Sequence, residues 1–160
     1  MRIGLGGYEH SYDKDSSFTL GGILFSGKKK IDQNDKSDIV IYSLTDALLG
    51  AAASGGMAQL SDYPDILTIP ATDILKQVEK DIHYTGFDII NIDITIRTSL
   101  KKINDKMAEM HAKLIMLLFL KTEQLNIKTT FWFQNNENNR IDRIGVTSVA
   151  LLHERSRKKI

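Results

Sequence analysis

The spacing of apolar residues divides the chain into helical and extended stretches. From Asp38 to Ser54, apolar side chains recur at Ile41, Leu44, Leu48, Ala51 and Ala52. That three-and-four spacing makes one buried stripe and predicts a helix. Asp35 or Ser37 would cap its start, and Gly55-Gly56 would end it. Its second turn carries Tyr42, Thr45 and Asp46 beside the stripe, and its alanine run admits another backbone at close range. A second helix is expected over Thr72 to Thr85, capped by Thr72 or Asp73, striped by Ile74, Leu75, Val78 and Ile82, and stopped by Gly86. A third opens at Asn104-Asp105 and runs through Gln124, with Met107, Met110, Leu114, Leu117 and Leu118 inward. Its far side is also apolar, at Ile115, Met116 and Phe119, as in a helix buried on two sides at a subunit contact.

Alternation of period two marks the clearest strand, Phe87 to Arg97. Ile90, Ile92, Ile94 and Ile96 interleave with Asn91, Asp93, Thr95 and Arg97, so one face is buried and the other polar. Arg2 to His10 reads as a first strand whose Gly4, Gly6 and Gly7 mark a bulge or close backbone approach. Ser17 to Phe25 is a second strand bent at Gly21-Gly22, and Met57 to Pro70 is irregular. Ile127 to Phe133 and Arg140 to Leu152 are the last strands, joined by a turn at Gln134 to Asn139. The order β-β-α-α-β-α-β-β predicts an α/β (α+β) domain: a single sheet with three helices on one face. The domain spans residues 1–154, and 155–160 form a basic, frayed tail. The uncovered sheet face is either solvated or meets another subunit.

Composition narrows the function classes. A chain of 160 residues suits one domain with a real core. A net charge of +1 gives no general bias toward nucleic acid, and the basic tail is too small a patch to supply one. The absence of cysteine excludes disulfides and thiolate metal sites and is compatible with a cytoplasmic setting. The first ten residues lack the build of a signal peptide, and Leu114 to Leu120 is too short to span a bilayer. The glycines near the N-terminus are not a dinucleotide fingerprint, because no helix opens behind them. His10, where the first strand gives way to a polar loop, is a lone imidazole in the local pattern.

MRIG at 1–4, Gly6, His10, Gly21-Gly22, Asp38, LTDALLGAAA at 44–53, NIDITI at 91–96 and VALL at 149–152 occur in a familiar order and spacing. Together they resemble the 2-C-methyl-D-erythritol 2,4-cyclodiphosphate synthase (YgbB-like) family of the non-mevalonate isoprenoid pathway, over nearly the whole chain. The resemblance implies a cytoplasmic homotrimer, or a plastid one in a eukaryote, with active sites shared between subunits. It implies a lyase that expels CMP from a cytidine diphosphate ester while the terminal phosphate closes a cyclodiphosphate. It also implies zinc and a magnesium-type ion (magnesium or manganese) as Lewis acids and templates.

Position by position, the same resemblance exposes departures. The family's zinc-binding Asp-x-His pair and helix histidine fall on Tyr8, His10 and Tyr42, so only His10 is kept. The substrate loop before the helix reads Asn34-Asp35-Lys36-Ser37-Asp38 and keeps only Asp38; the aspartate after the alanine run is Gly56. The loop that lies against the cytidine base keeps Lys102. The KxTTTEK motif reads Lys128-Thr129-Thr130-Phe131-Trp132-Phe133-Gln134, so a diphosphate-supporting threonine and the second-metal glutamate are both phenylalanine. Asp46 and Thr130 remain as catalytic candidates, and Arg140 as a candidate for a phosphorylated or isoprenoid ligand on the trimer axis.

Three readings follow. The first is a trimeric scaffold whose cyclase activity is weak or lost, with zinc disfavoured and the second metal absent. The second is an active cyclase with substitute ligands drawn from His10, Asp38, Glu9 and Lys102. The third is a ligand- or partner-binding scaffold whose Phe131-Trp132-Phe133 run lines a groove between subunits, the alternative being that these rings fill the vacated diphosphate site or form core at the trimer contact.

Overall fold

The computed structural model describes residues 1–13, 15–28, 38–60, 68–131 and 141–155, with only the backbone described at 141 and 142. Strands β1 (Arg2–Asp13), β2 (Phe18–Leu20) and β3 (Ile23–Phe25) precede helices α1 (Ile39–Ala51), α2 (Met57–Leu60) and α3 (Ala71–Tyr84). Strand β4 (Phe87–Thr98), helix α4 (Met107–Leu118) and strands β5 (Leu125–Phe131) and β6 (Ile141–Glu154) complete the order. The main sheet runs β1-β6-β4-β5. β6 is antiparallel to both neighbours, whereas β4 and β5 are parallel. A parallel pair needs a crossover rather than a hairpin, and α4 lies in that connection.

The expected single strand over Ser17 to Phe25 is instead a separate two-stranded hairpin. Gly21 and Gly22 both take positive φ, 58° and 76°, which turns the chain back on itself rather than bending one strand. There are therefore two sheets. Helix α1 also differs from expectation at both ends. Asp38 is its N-cap, accepting from the Ile41 N–H at 3.1 Å; the expected caps Asp35 and Ser37 lie outside the described residues. Ala53 (φ 57°) already leaves the helix before Gly55. Pro70 occupies the N-cap of α3 with no side-chain cap, because a proline pre-set φ starts the helix without one; Gly86, at φ 96°, ends it as expected. A short helix, α2, occupies part of the stretch expected to be irregular.

The third helix is shorter than its apolar pattern suggested. A 3₁₀ turn occupies Lys101–Lys106, and α4 stops at Leu118 because Phe119 adopts the left-handed conformation (φ 52°, ψ 38°). The residues through Gln124 form a second 3₁₀ turn that leads into β5. In β4, Ile92, Ile94 and Ile96 are fully buried, but Ile90 is 37% exposed. A register shift between Ile89 and Asn91 takes Ile90 out of the alternation. Arg155, expected to begin the frayed tail, is tied into the fold: its N–H donates to Gly86 O at 2.8 Å and its guanidinium to His83 O. The rest of the tail lies outside the described residues.

The core forms between the helices and one sheet face. Gly4 and Gly6 of β1 sit beneath α1, which rests almost directly on the strand backbone. A Cβ at Gly4 would lie 1.9 Å from the Ala47 carbonyl oxygen. Ser43 links the layers, donating to Gly6 O at 3.0 Å and bonding Ser148 Oγ at 2.9 Å. The opposite sheet face carries exposed Ile3 (72%) and Leu5 (68%) on β1. In register with them on β6 are Leu151 and Val149. Polar residues occupy the same face farther along: Glu9 pairs with Arg143 at 3.4 Å, and Arg97 donates to Thr147 at 2.8 Å.

Candidate functional site

Strand alternation puts Tyr8 and His10 on the helix-covered face of β1, together with Gly4 and Gly6. Helix α1 brings Tyr42 and Asp46 close to Tyr8. The Tyr8 and Tyr42 rings lie 6.0 Å apart and tilted by 57°. Burial first, then the nearby Asp46 and Tyr42, holds the Tyr8 phenol above its ordinary range. Asp46 accepts from the Met57 N–H at 2.9 Å and so fixes the start of α2. A side chain at position 56 would press on it: a Cβ there would lie 2.4 Å from Asp46 Oδ1. The glycine where the family places an aspartate is therefore part of the local packing. His10 is exposed and meets the Tyr12 ring edge-on at 4.8 Å.

This donor set does not suit zinc. A catalytic zinc takes three protein ligands, usually imidazole, carboxylate or thiolate. Here the three positions supply one imidazole and two phenols, and partial burial makes Tyr8 the harder to ionise. Among the described residues no group of three or more His, Cys, Asp or Glu could hold a metal ion.

The candidate substitute ligands are kept apart. Asp38 is 3% exposed, and both its oxygens are occupied. Oδ1 accepts from Gly21 N–H at 2.8 Å and Oδ2 from Gly22 N–H at 2.7 Å, besides the bond from Ile41. Burial pushes this carboxyl up, while the N–H groups of Gly22, Ile41, Gly21 and Val40 act in the opposite direction. Asp38, expected at the substrate or a metal, therefore clamps the β2–β3 turn to the start of α1. Glu9 points to the opposite sheet face, toward Arg143. The Lys102 ammonium lies 4.8 Å from the centroid of the Phe18 ring, which itself stacks on Phe25 at 5.2 Å. These positions do not converge on His10 as one ligand set.

Thr130 is exposed on β5, in register with Arg97 on the uncovered face. β1 and β5 are opposite edges of the main sheet. Three strand spacings of about 4.8 Å put them roughly 14 Å apart. One chain therefore does not bring Asp46 and Thr130 together. Phe131 is exposed at the end of β5; Trp132, Phe133 and Arg140 lie outside the described residues. Beside Asp38, a cavity of about 360 Å³ is lined by Thr19, Gly22, Thr68, Pro70, Ala71 and Thr72. The sequence reading missed this wall and the role of Gly21-Gly22 as donors to Asp38. The paired glycines were the available signal, but their partner lies sixteen residues away. It also missed the ion pair between Lys128 and Asp93 on the uncovered face.

Comparison with known proteins places these observations in a family. The profile of the YgbB family matches residues 1–153. A 2-C-methyl-D-erythritol 2,4-cyclodiphosphate synthase of Pseudomonas fluorescens is 33% identical over 156 residues, covering 95% of this chain and 98% of that protein. One from Enterococcus faecalis is 30% identical over 156 residues, covering 96% and 99%. The bifunctional IspDF of Campylobacter jejuni superposes with a TM-score of 0.81 at 27% identity, over 96% of this chain and 42% of its own. The IspF–CDP complex of Plasmodium falciparum gives 0.79 at 23%, with 97% of each chain covered, and supports the fold alone. No described helix is long and apolar enough to cross a membrane.

Proposed function

Because the chain belongs to the YgbB family, we propose that it is a cyclodiphosphate-synthase-type protein of isoprenoid biosynthesis whose cyclase activity is weak or lost. The observation that carries this reading is the Tyr8–Tyr42 ring pair, on the same face of β1 as His10. In the family reaction the terminal phosphate attacks the neighbouring phosphate, the phosphorus–oxygen bond to CMP breaks, and CMP leaves with that bonding pair. Such chemistry depends on positioning two phosphates and neutralising their charge. The Tyr8 phenol, held above its ordinary value, is a poor anionic metal ligand, and a phenylalanine at position 131 supplies no hydroxyl donor. Losing one preorganised stabilising group costs ~10²–10³ in rate, and several positions differ here.

The test is CMP release from the cytidine diphosphate ester substrate with zinc and magnesium supplied. A rate at least about a hundredfold below that of the Enterococcus faecalis relative is expected. A rate matching that relative would overturn the reading. Metal analysis of the purified protein is expected to find less than stoichiometric zinc, and the double variant Tyr8→Asp/Tyr42→His to restore binding.

The same reading includes a homotrimer, working in the cytoplasm. It is supported by the exposed Ile3 and Leu5 on the uncovered sheet face, and by the separation of Tyr8 and His10 from Thr130 within one chain. A site assembled from two chains would unite such groups. Mass determination in solution is expected to give three chains; a monomer at micromolar concentration would remove this part of the proposal.

A further inference from the structure

A second cavity, of about 370 Å³, lies where the C-terminal ends of α3 and α4 meet the first residues of β4. It lies at the end of β4 opposite Thr98. β4 runs from this cavity at Phe87 to Thr98, before Lys102, and at ~3.3 Å per residue that strand is roughly 35 Å long. Its floor is apolar, built from Ile82, Phe87 and Leu118, each buried in the core. Phe119 stands at its rim, 79% exposed and held outward by its left-handed backbone. Volumes of this order hold small organic molecules, and pockets of this kind pair apolar walls with a few polar groups.

The polar groups around this floor favour positive charge. A helix C-terminus carries about half a negative charge from its free carbonyls, and two such ends meet here. The end of α3 is already met by a cation, since the Arg155 guanidinium donates to His83 O. The last turn of α4 contains no basic residue of its own. Asp88 is likewise engaged, by His83 Nδ1 at 3.4 Å and by Arg155 Nε at 3.7 Å. Glu79 lines the same cavity, and among the described residues no ion pair or hydrogen bond is formed by its carboxylate. Burial holds that carboxyl above its ordinary value, with the charges of His83 and Lys80 opposing. An amine bound in this cavity would pair with the Glu79 carboxylate, on the side where α4 ends without a basic residue in its last turn, with its apolar body on Ile82, Phe87 and Leu118.

We infer that this cavity is a binding site for a small organic cation, an ammonium or amidinium group on an apolar or aromatic body. The inference is independent of the proposed cyclase-type function.

Tryptamine and indole-3-acetate share an aromatic body and differ in the sign of the terminal charge. Titration of the full-length protein with each, followed by amide NMR shifts, tests the site. Tryptamine is expected to shift residues of 82–89 and 118–124 with a Kd of about a millimolar, the affinity its size supports. Indole-3-acetate should bind at least about threefold more weakly, and Glu79→Gln should weaken tryptamine by a similar factor. Leu118→Trp, which fills the floor, should abolish binding; if that variant does not fold, the Glu79→Gln comparison still decides. Equal affinity for the two probes, an affinity unchanged by Glu79→Gln, or no shift at these residues at ~10 mM tryptamine would each overturn the inference.

Discussion

The carbonyl oxygen of Ser43 would lie 2.0 Å from a Cβ at Gly6, and Ser43 Oγ donates to the Gly6 carbonyl at 3.0 Å. Helix and strand thus meet closely at Gly6, whose missing side chain lets the Ser43 backbone approach. Adding one methyl group forces α1 away from β1 and strains the Ser43–Ser148 bond. Gly6→Ala is expected to destabilise the fold by about 2–3 kcal/mol, at the upper end for overpacking a tight core. Urea denaturation of the variant checks this; an unchanged midpoint would show that the layers can separate at little cost.

Asp38 stabilises the fold by clamping Gly21 and Gly22 to the start of α1. Asp38→Ala removes an N-cap, worth ~0.5–2 kcal/mol, and strands buried N–H donors, each worth ~1–3 kcal/mol. A loss of at least about 2 kcal/mol is expected in thermal or urea unfolding. A loss below 0.5 kcal/mol, about the least a cap contributes, would mean that water replaces the carboxylate.

Asp93 offers a pH test. Hydrogen bonds from Lys128, then Asn126, hold its carboxyl below the ordinary carboxylate value. A depressed folded-state value means the contribution is complete above the unfolded pKa of about 3.9 and fades as pH falls through the folded one. Asp93→Asn should therefore flatten stability against pH on the acid side, its loss being fullest at neutral pH and fading as pH falls through the folded-state value. Unfolding curves collected across pH 2–5, a window of about two units around that carboxylate value, would reveal it.

Tyr8 titrates in the opposite sense. Its phenol is held up by burial, and secondarily by Asp46 and Tyr42. The folded state keeps the proton longer than the unfolded chain, so Tyr8 stops favouring the fold as pH rises beyond about 10. Asp46→Asn should lower the tyrosinate midpoint assigned to Tyr8 by difference absorbance against Tyr8→Phe. A midpoint that does not move would leave burial and Tyr42 as its causes.

Phe119 adopts φ 52° at the end of α4. Glycine takes that conformation without the steric cost of ~1–2 kcal/mol borne by other residues. Phe119→Gly should raise stability by about 1 kcal/mol, less any loss of contact by an already exposed ring. A fall in melting temperature would show that the ring packs more than its exposure suggests.

The periodicity of the sequence determined α1, α3 and the buried Ile92–Ile94–Ile96 row of β4, because each depends on local spacing against one dominant core. Glycines inside β1 likewise announced the close approach that Ala47 and Ser43 complete. Motif order carried the family, and the substitutions at Tyr8 and Tyr42 were visible in the same residues. What the tertiary structure decided was which distant groups become partners. Asp38 stood as a candidate ligand in the sequence, and only the fold shows the Gly21 and Gly22 N–H groups on its carboxylate, whereas the alternation of β1 already placed Glu9 on the face opposite His10. Phe119 continued an apolar helical pattern yet ends the helix, since a left-handed turn reverses the chain in time for β5 to pair with β4. Local pattern records which residues prefer burial; only the folded chain sets which backbone dipoles and charges satisfy them.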